Sequence, residues 1–339
     1  MNVSNKPLLS VLSLLLASSA LAMGGAVSSS SSAAGSSKAE RYARRCQGTK
    51  VNMPKELRPQ GPLLWGMRSS WADVPPDEHK DVPPDEHKSV LVSVDAASLS
   101  KADVGRVLQG RSTEGQGVEV AICGAEDGQE QGMTWYWIEA WNPVAQVWEN
   151  PCLAIEDKKK PRALAVNGVW DGSGARLEKE GQLTLACEKG VIAKCIDWGY
   201  KPWAVEQGQS LASLHQACTR MARADYCGNG TPHTTEGTII DLYDVMNLKQ
   251  KTVDASDKWD PKRATFEAAW GPEGAVCLAR TRDGRGLEEI QKECPGRFKT
   301  GGGKRTRSAV AVMDFQEDRC TLTREGMSLQ QALLRNQGY

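Results

Sequence analysis

The sequence lacks a dominant charge. Its 42 Lys and Arg balance 42 Asp and Glu, so no field of one sign points to nucleic acid or an anionic membrane as partner. It also lacks, beyond the N-terminus, an apolar run long enough to span a bilayer, so no membrane span is expected in the mature chain. Phe is scarce, at three residues, while Trp reaches eleven; the core has to rest on aliphatic side chains and indoles. The ten cysteines contain no Cys-x-x-Cys pair, which argues against zinc sites built from close pairs. The basic, glycine-rich residues 298–308 (FKTGGGKRTRS) lack the G-x-x-x-x-G-K-[ST] phosphate loop, because Arg305 follows Lys304; a solvated loop is expected there.

What is present begins with an export signal. Residues 7–22 (PLLSVLSLLLASSALA) form a leucine-rich run after Lys6 and end on Ala20-Leu21-Ala22, an A-x-A cleavage pattern. A Sec-type signal peptide over residues 1–22, cut before Met23, predicts a soluble protein that is secreted or periplasmic. Residues 23–88 read as a disordered Ser/Gly/Pro-rich leader, with a short basic helix at 38–46. Inside this leader residues 73–88 repeat DVPPDEHK twice. Asp77, Glu78, His79, Asp85, Glu86 and His87 are metal-ligand types. Paired prolines keep such a segment extended, and two histidines on it do not make a closed site. The repeat is read as an exposed duplication, and no metal or cofactor is assigned.

Residues 89–339 read as one β-rich domain, or as two lobes at 89–205 and 206–339. Strands are expected at residues 90–94, 118–122, 133–141, 144–148, 163–170, 183–187, 191–198 and 238–245. A hairpin is expected with strands at 264–270 and 275–281 around Gly271-Pro272-Glu273-Gly274. Leu211, Leu214, Cys218 and Met221 mark one face of a helix, with Ser210 as N-cap and Gly228 as the residue past its end. Leu287, Ile290 and Cys294 mark a second short helix, and residues 328–336 a last one. The fold class is α+β, mainly antiparallel β, a sandwich or barrel with a few short helices, stapled by disulfides.

In an exported chain Cys46, Cys123, Cys152, Cys187, Cys195, Cys218, Cys227, Cys277, Cys294 and Cys320 read as five disulfides of open pairing. One pairing is excluded. Nine helical residues at ~1.5 Å rise put Cys218 and Cys227 ~13 Å apart, beyond the reach of about 7 Å for a disulfide. Each then pairs elsewhere, pinning the helix to the sheet. Residues 210–244 also hold the inventory of a thiol hydrolase: Cys227 as nucleophile, His233 as base, and Asp241 or Glu236 to orient the imidazole. Against it, Cys227 sits at a helix C-terminus, where the dipole disfavours a thiolate, and an even cysteine count leaves no free thiol. No catalytic residue is assigned, and His215 reads as a helix histidine in the core or at the surface. Trp135, Trp137 and Trp141 share one strand face. Exposed, they would form a binding platform; buried, they are core, which the aromatic pattern on both faces favours.

Arg223-Ala224-Asp225-Tyr226-Cys227-Gly228 resembles the signature of the ADYC-domain family. The ordered pieces KCIDWGYKPW (residues 194–203), GNGTPHT (228–234), FEAAW (266–270) and Cys294-Pro295 fit the same family, over about residues 181–320 or from near Val118. The resemblance implies exported bacterial proteins without an established activity. It supplies compartment and extent, and no catalytic role. The expectation is an exported, disulfide-stabilised module that binds a surface or periplasmic partner, an extracellular protein or a glycan. Alternatives are a cysteine- or metal-dependent hydrolase using Cys227, His233 and Asp241, and carbohydrate binding through exposed Trp135, Trp137 and Trp141.

Overall fold

Leu108, Gly110 and Ser112 are buried while Gln109 and Arg111 face water. A period of two is what one strand with one wet face requires. The computed structural model describes residues 37–47, 92–112, 115–129, 132–143, 146–152, 161–234, 238–300 and 320–339. The signal-peptide reading, the DVPPDEHK repeat, Glu236 and the glycine-rich run 301–308 lie outside the described residues.

The first helix is α1 (Lys38–Ala43). Nine strands follow: β1 (Val92–Asp95), β2 (Val107–Ser112), β3 (Gly117–Asp127), β4 (Thr134–Asn142), β5 (Val147–Glu149), β6 (Ala163–Asn167), β7 (Val169–Trp170), β8 (Arg176–Leu177) and β9 (Gln182–Cys187). Antiparallel pairing runs β3-β2-β1-β9-β6-β4, and β4 returns to β3, closing a six-strand barrel with β5 added outside on β4. The interior takes every second side chain: Val94, Leu108, Val120, Ile122, Tyr136, Ile138, Leu183 and Leu185 form one buried cluster.

The outward residues of β4, β6 and β9 (Trp135, Leu164, Val166 and Ala186) enter a second, larger core. It is built on α2 (Val191–Asp197) and α3 (Ala212–Arg223), which follow β9 and flank the small hairpin β10 (Val205–Glu206) and β11 (Gln209–Ser210). The far side of that core is a six-stranded antiparallel sheet. Its strands are β12 (Ile240–Asp244), β13 (Thr265–Gly271), β14 (Gly274–Leu278), β15 (Phe298–Thr300), β16 (Leu322–Arg324) and β17 (Leu334–Gly338), in the order β12-β17-β13-β14-β16-β15. Helix α4 (Leu287–Glu293) links β14 to β15. A helix layer thus lies between barrel wall and sheet, and ten of the twelve α3 residues are buried.

The mainly antiparallel, barrel-containing fold agrees with the sequence expectation. Several local readings are corrected. Residues 191–198, expected as a strand, form α2. Val191, Ile192, Cys195 and Ile196 repeat at one- and four-residue steps, a helical stripe that β-branched residues disguised. Gly199, at φ 101°, closes it, with Tyr200 N donating to Cys195 O and Gly199 N to Ile196 O. The last helix, expected over 328–336, is only a 3-10 turn at Leu329–Gln331 followed by strand β17. The polar β17 lies between β12 and β13, where its side chains find partners. Residues 163–170 form two strands broken at Gly168. Strand β14 stops at Leu278, short of residue 281. Ser210 ends β11, and the α3 N-cap is Leu211.

Five disulfides join Cys46–Cys123, Cys152–Cys187, Cys195–Cys218, Cys227–Cys294 and Cys277–Cys320. Cys218 ties α3 to α2, and Cys227 ties the segment past α3 to the end of α4. The helix is therefore fastened to neighbouring helices, whereas bonds to the sheet were expected. Five bridges belong to a chain that folds in an oxidising environment. Among the described residues no helix is long and apolar enough to cross a membrane. Alkylation under denaturing, non-reducing conditions should label none of the ten cysteines; labelling of any pair would remove its bridge from this scheme.

Candidate functional site

Each residue of Ala224-Asp225-Tyr226-Cys227 has a separate mechanical task. Ala224 ends α3 in the left-handed conformation, φ 54° and ψ 41°. Asp225 N donates to Arg220 O and Ala224 N to Met221 O, the pairing of a left-handed helix stop. The expected stop, Gly228, comes four residues later. It has φ 72°, and a Cβ there would overlap the Glu273 carbonyl oxygen. Only glycine lets the loop run so close to the β13–β14 turn.

Asp225 is buried and organises that loop. Its Oδ1 accepts from Gly228 N at 2.9 Å and Asn229 N at 3.1 Å, and its Oδ2 from Gly230 N at 2.9 Å. The backbone amides form an anion-binding nest whose anion is the chain's own carboxylate. Arg220 Nη1 completes the charge balance, 2.6 Å from Oδ2. Arg220 also donates to Pro272 O and Ser173 O, so one guanidinium joins helix, loop and hairpin.

Tyr226 is fully buried between rings, stacked on Trp270 at 5.3 Å and facing His233 at 5.3 Å. Its hydroxyl donates to Glu267 Oε1 at 3.1 Å and accepts from Arg282 N at 2.7 Å. Burial, reinforced by Glu267, pushes this hydroxyl well above its usual pKa, so it remains a donor. Glu267, on β13, meets Arg282 in a two-pronged pair, Nε to Oε2 at 3.0 Å and Nη2 to Oε1 at 2.9 Å. Arg282 also donates to Met221 O at 2.9 Å and Ala222 O at 3.1 Å. A cation thus caps the α3 C-terminus, where the helix dipole favours it. Asn336 Nδ2 satisfies Glu267 Oε2 at 2.8 Å and its Oδ1 accepts from Trp270 Nε1 at 2.8 Å. Arg324, buried in the same region, donates to Ala275 O, Tyr226 O and Cys227 O. Burial, then the neighbouring Arg297, lowers its pKa to about 10.

The hydrolase inventory is dispersed. Cys227 is bonded to Cys294 and buried. His233 lies against the helix end, with Nδ1 2.9 Å from Ala224 O and Nε2 2.6 Å from Glu293 Oε2. A carbonyl only accepts, so Nδ1 carries the hydrogen, and the other nitrogen faces the carboxylate. Neither ring nitrogen is turned to a nucleophile. Asp241 is held elsewhere, by Thr252 N at 3.0 Å, Thr252 Oγ1 at 2.6 Å and Gln337 Nε2 at 2.9 Å. The carboxylate beside His233 is therefore Glu293, which no local pattern announces. Trp135 and Trp141 are buried, Trp135 beneath the Arg162 guanidinium and Trp141 beneath that of Arg41. Trp137 is half-buried. The open three-tryptophan platform is not what the fold presents. Among the described residues, Cys46, Cys123 and Glu139 come close enough to share a cation, but the two sulfurs are bonded to each other.

His215 is completely buried on α3, its Nε2 3.2 Å from Ile192 O and its ring edge-on to Trp170. Burial lowers its pKa from 6.5 to about 4.

A family model described as ADYC domain matches residues 101–284. Among curated proteins and solved structures none matches the chain.

Two measurements test these contacts. Arg282→Met should cost about 3–5 kcal/mol in urea unfolding, because Glu267 is left buried and uncompensated. Adding Glu267→Gln should recover part of that loss; strictly additive losses would refute the coupling. The second concerns pH. Unfolded, His215 takes up a proton near 6.5; folded, only near 4. Its neutral form therefore stabilises the fold fully above pH 6.5, and that contribution fades as pH falls through about 4, by roughly 3 kcal/mol in total. The stability difference between wild type and His215→Gln should shift by that amount between neutral and acid pH. A pH-independent difference would rule it out.

Proposed function

We propose a recognition role, rather than a catalytic one, for this chain, which belongs to the ADYC domain family. The segment that gathers Cys, His and Asp is occupied by its own internal bonds. Asp225 fills its own nest, Cys227 is in a disulfide, and both nitrogens of His233 have partners. Such a segment makes a scaffold. Export through the signal peptide read at residues 1–22 would deliver the folded module to the periplasm or the cell exterior.

The observation that carries the reading is Trp203. It is 45 % exposed, in the turn that leads into the β10–β11 hairpin, where Val205 is 65 % exposed; this turn is held firmly. Leu211 N donates to Ala204 O at 3.0 Å, and Ala204 packs into the central core. Gln207 Nε2 reaches Met246 O at 3.2 Å, which brings in the turn where Val245 is 42 % exposed. Indole and β-branched surface on a braced turn loses little entropy on binding, the property of an interface hot spot. The partner proposed is an extracytoplasmic protein.

The test is Trp203→Ala with Val205→Ser. The thermal midpoint should stay within about 2 °C of wild type, as expected for exposed positions. Recovery of cell-envelope proteins on the immobilised module should fall by about tenfold or more. Unchanged recovery would discard this surface. Binding to a glycan array that the double substitution abolishes would replace the protein partner by a sugar.

A further inference from the structure

The five disulfides are not equally accessible. Cys152, Cys187, Cys195, Cys218, Cys227, Cys277 and Cys294 are buried, and in the bond Cys277–Cys320 only Cys320 is half-buried. In Cys46–Cys123 both partners are half-buried. Both also line a cleft of about 280 Å³, together with Arg45, Val104, Gly105 and Ile122. That volume holds several water-sized groups, enough to admit a small thiol to the sulfurs.

The same bond is the covalent tie of the α1 segment to the barrel. Helix α1 has no buried residue. It lies on the outer wall of β3, β4 and β5 through polar and ring-edge contacts. Tyr42 Oη donates to Glu119 at 2.9 Å, Arg41 pairs with Glu119 at 2.5 Å, and Trp148 Nε1 donates to Arg41 O at 2.8 Å. The Arg41 guanidinium covers Trp141 at 4.9 Å, and Tyr42 meets Trp148 edge-on at 6.0 Å. The Arg41–Glu119 pair is half-buried, and it and the single cation–π contact are each modest holds beside a covalent bond. The bridge closes a separation of 77 residues, so opening it restores much chain freedom to the segment.

We propose that Cys46–Cys123 is the thiol-exchange site of the chain, opened by a dithiol reductant ahead of the other four bridges, and that its opening releases α1 from the barrel wall. One thiolate of the dithiol attacks a sulfur of the pair. The Cys46–Cys123 bond breaks, a mixed disulfide forms, and the other cysteine leaves as a thiolate and takes a proton. The second thiol of the dithiol, as its thiolate, then attacks the mixed disulfide, closing the dithiol's own disulfide and expelling the remaining cysteine. Two electrons pass to the protein, which gains two thiols, while the dithiol is oxidised. Release of α1 uncovers Trp141 and Trp148, whose rings meet tilted at 5.7 Å in a cluster with Ala121. This proposal is independent of the Trp203 surface.

The test uses the full chain, graded dithiothreitol, and alkylation read by mass spectrometry. Cys46 and Cys123 should be labelled at least about tenfold faster than any other pair. Trypsin cleavage at Arg41, Arg44 and Arg45 should accelerate by a similar factor in the partly reduced protein. Earlier or equal labelling of another pair overturns the proposal, and so does unchanged cleavage after Cys46 and Cys123 have opened. Cys46→Ser with Cys123→Ser should show the same fast cleavage without reductant; if that variant does not fold, the partly reduced wild type decides.

Discussion

Glu267 is a carboxylate with no exposure to water, set in a sheet strand that faces a helix. A charge in that position is tolerable only with an opposite charge and a full set of hydrogen bonds. Arg282 supplies the charge, and Tyr226 and Asn336 supply the remaining donors. Each of these partners comes from a different part of the chain: the loop past α3, the stretch after β14, and the last strand. Satisfying one buried carboxylate therefore fixes the relative positions of all of them. Arg282 extends the constraint by holding the carbonyls at the end of α3. A buried ion pair of this kind adds little net stability over an apolar replacement. Its partners do meet in only one arrangement.

The four-residue signature follows from that constraint. The helix has to end where Arg282 can reach its carbonyls, which puts Ala224 in a left-handed turn. The chain then reverses tightly enough for Tyr226 to lie on Trp270 with its hydroxyl over Glu267. Asp225 makes the reversal possible by satisfying three successive backbone amides. Cys227 fixes the outgoing strand of the loop to α4, and Arg297 and Arg324 donate to its carbonyl. A motif rich in catalytic residue types is thereby accounted for as backbone engineering.

The alternation of apolar side chains made the strands and the fold class legible, and helix-end reasoning kept Cys218 and Cys227 apart. What misled was local pattern without tertiary context. Residues 191–198 carry β-branched side chains suited to a strand, yet Val191, Ile192 and Ile196 lie buried on helix α2. Residues 334–338 carry three polar side chains, and 334–336 read as the end of a helix. They form a central strand because Asn336, Gln337 and Arg335 are paired inside the protein. The site was legible only as far as its local chain. His233 was identified as a residue with a carboxylate neighbour, but Asp241, eight positions on, belongs to another bond network. Glu293 arrives from α4, sixty residues away in sequence. Glu267 and Arg282 carry no signal of their own, since isolated Glu and Arg in a sequence look like surface.

Where another molecule can touch the chain follows from the barrel. Eight strands give an interior just wide enough for side chains, so a closed six-strand barrel has no room for a ligand. Here the interior is filled by Tyr136, Ile138, Ile122 and their neighbours. The barrel's outer wall is covered in turn, by α2 and α3 against Leu164 and Ala186, and by α1 against Trp141 and Trp148. Contact with another molecule is therefore left to the rims and to what covers the walls. The α2–α3 cover is sealed by a buried disulfide and a continuous core, and cannot be lifted without unfolding. The α1 cover is held by polar contacts and one half-buried disulfide. The Trp203 turn stands out from the helix layer while anchored in its core. The interior holds those few outer elements in place.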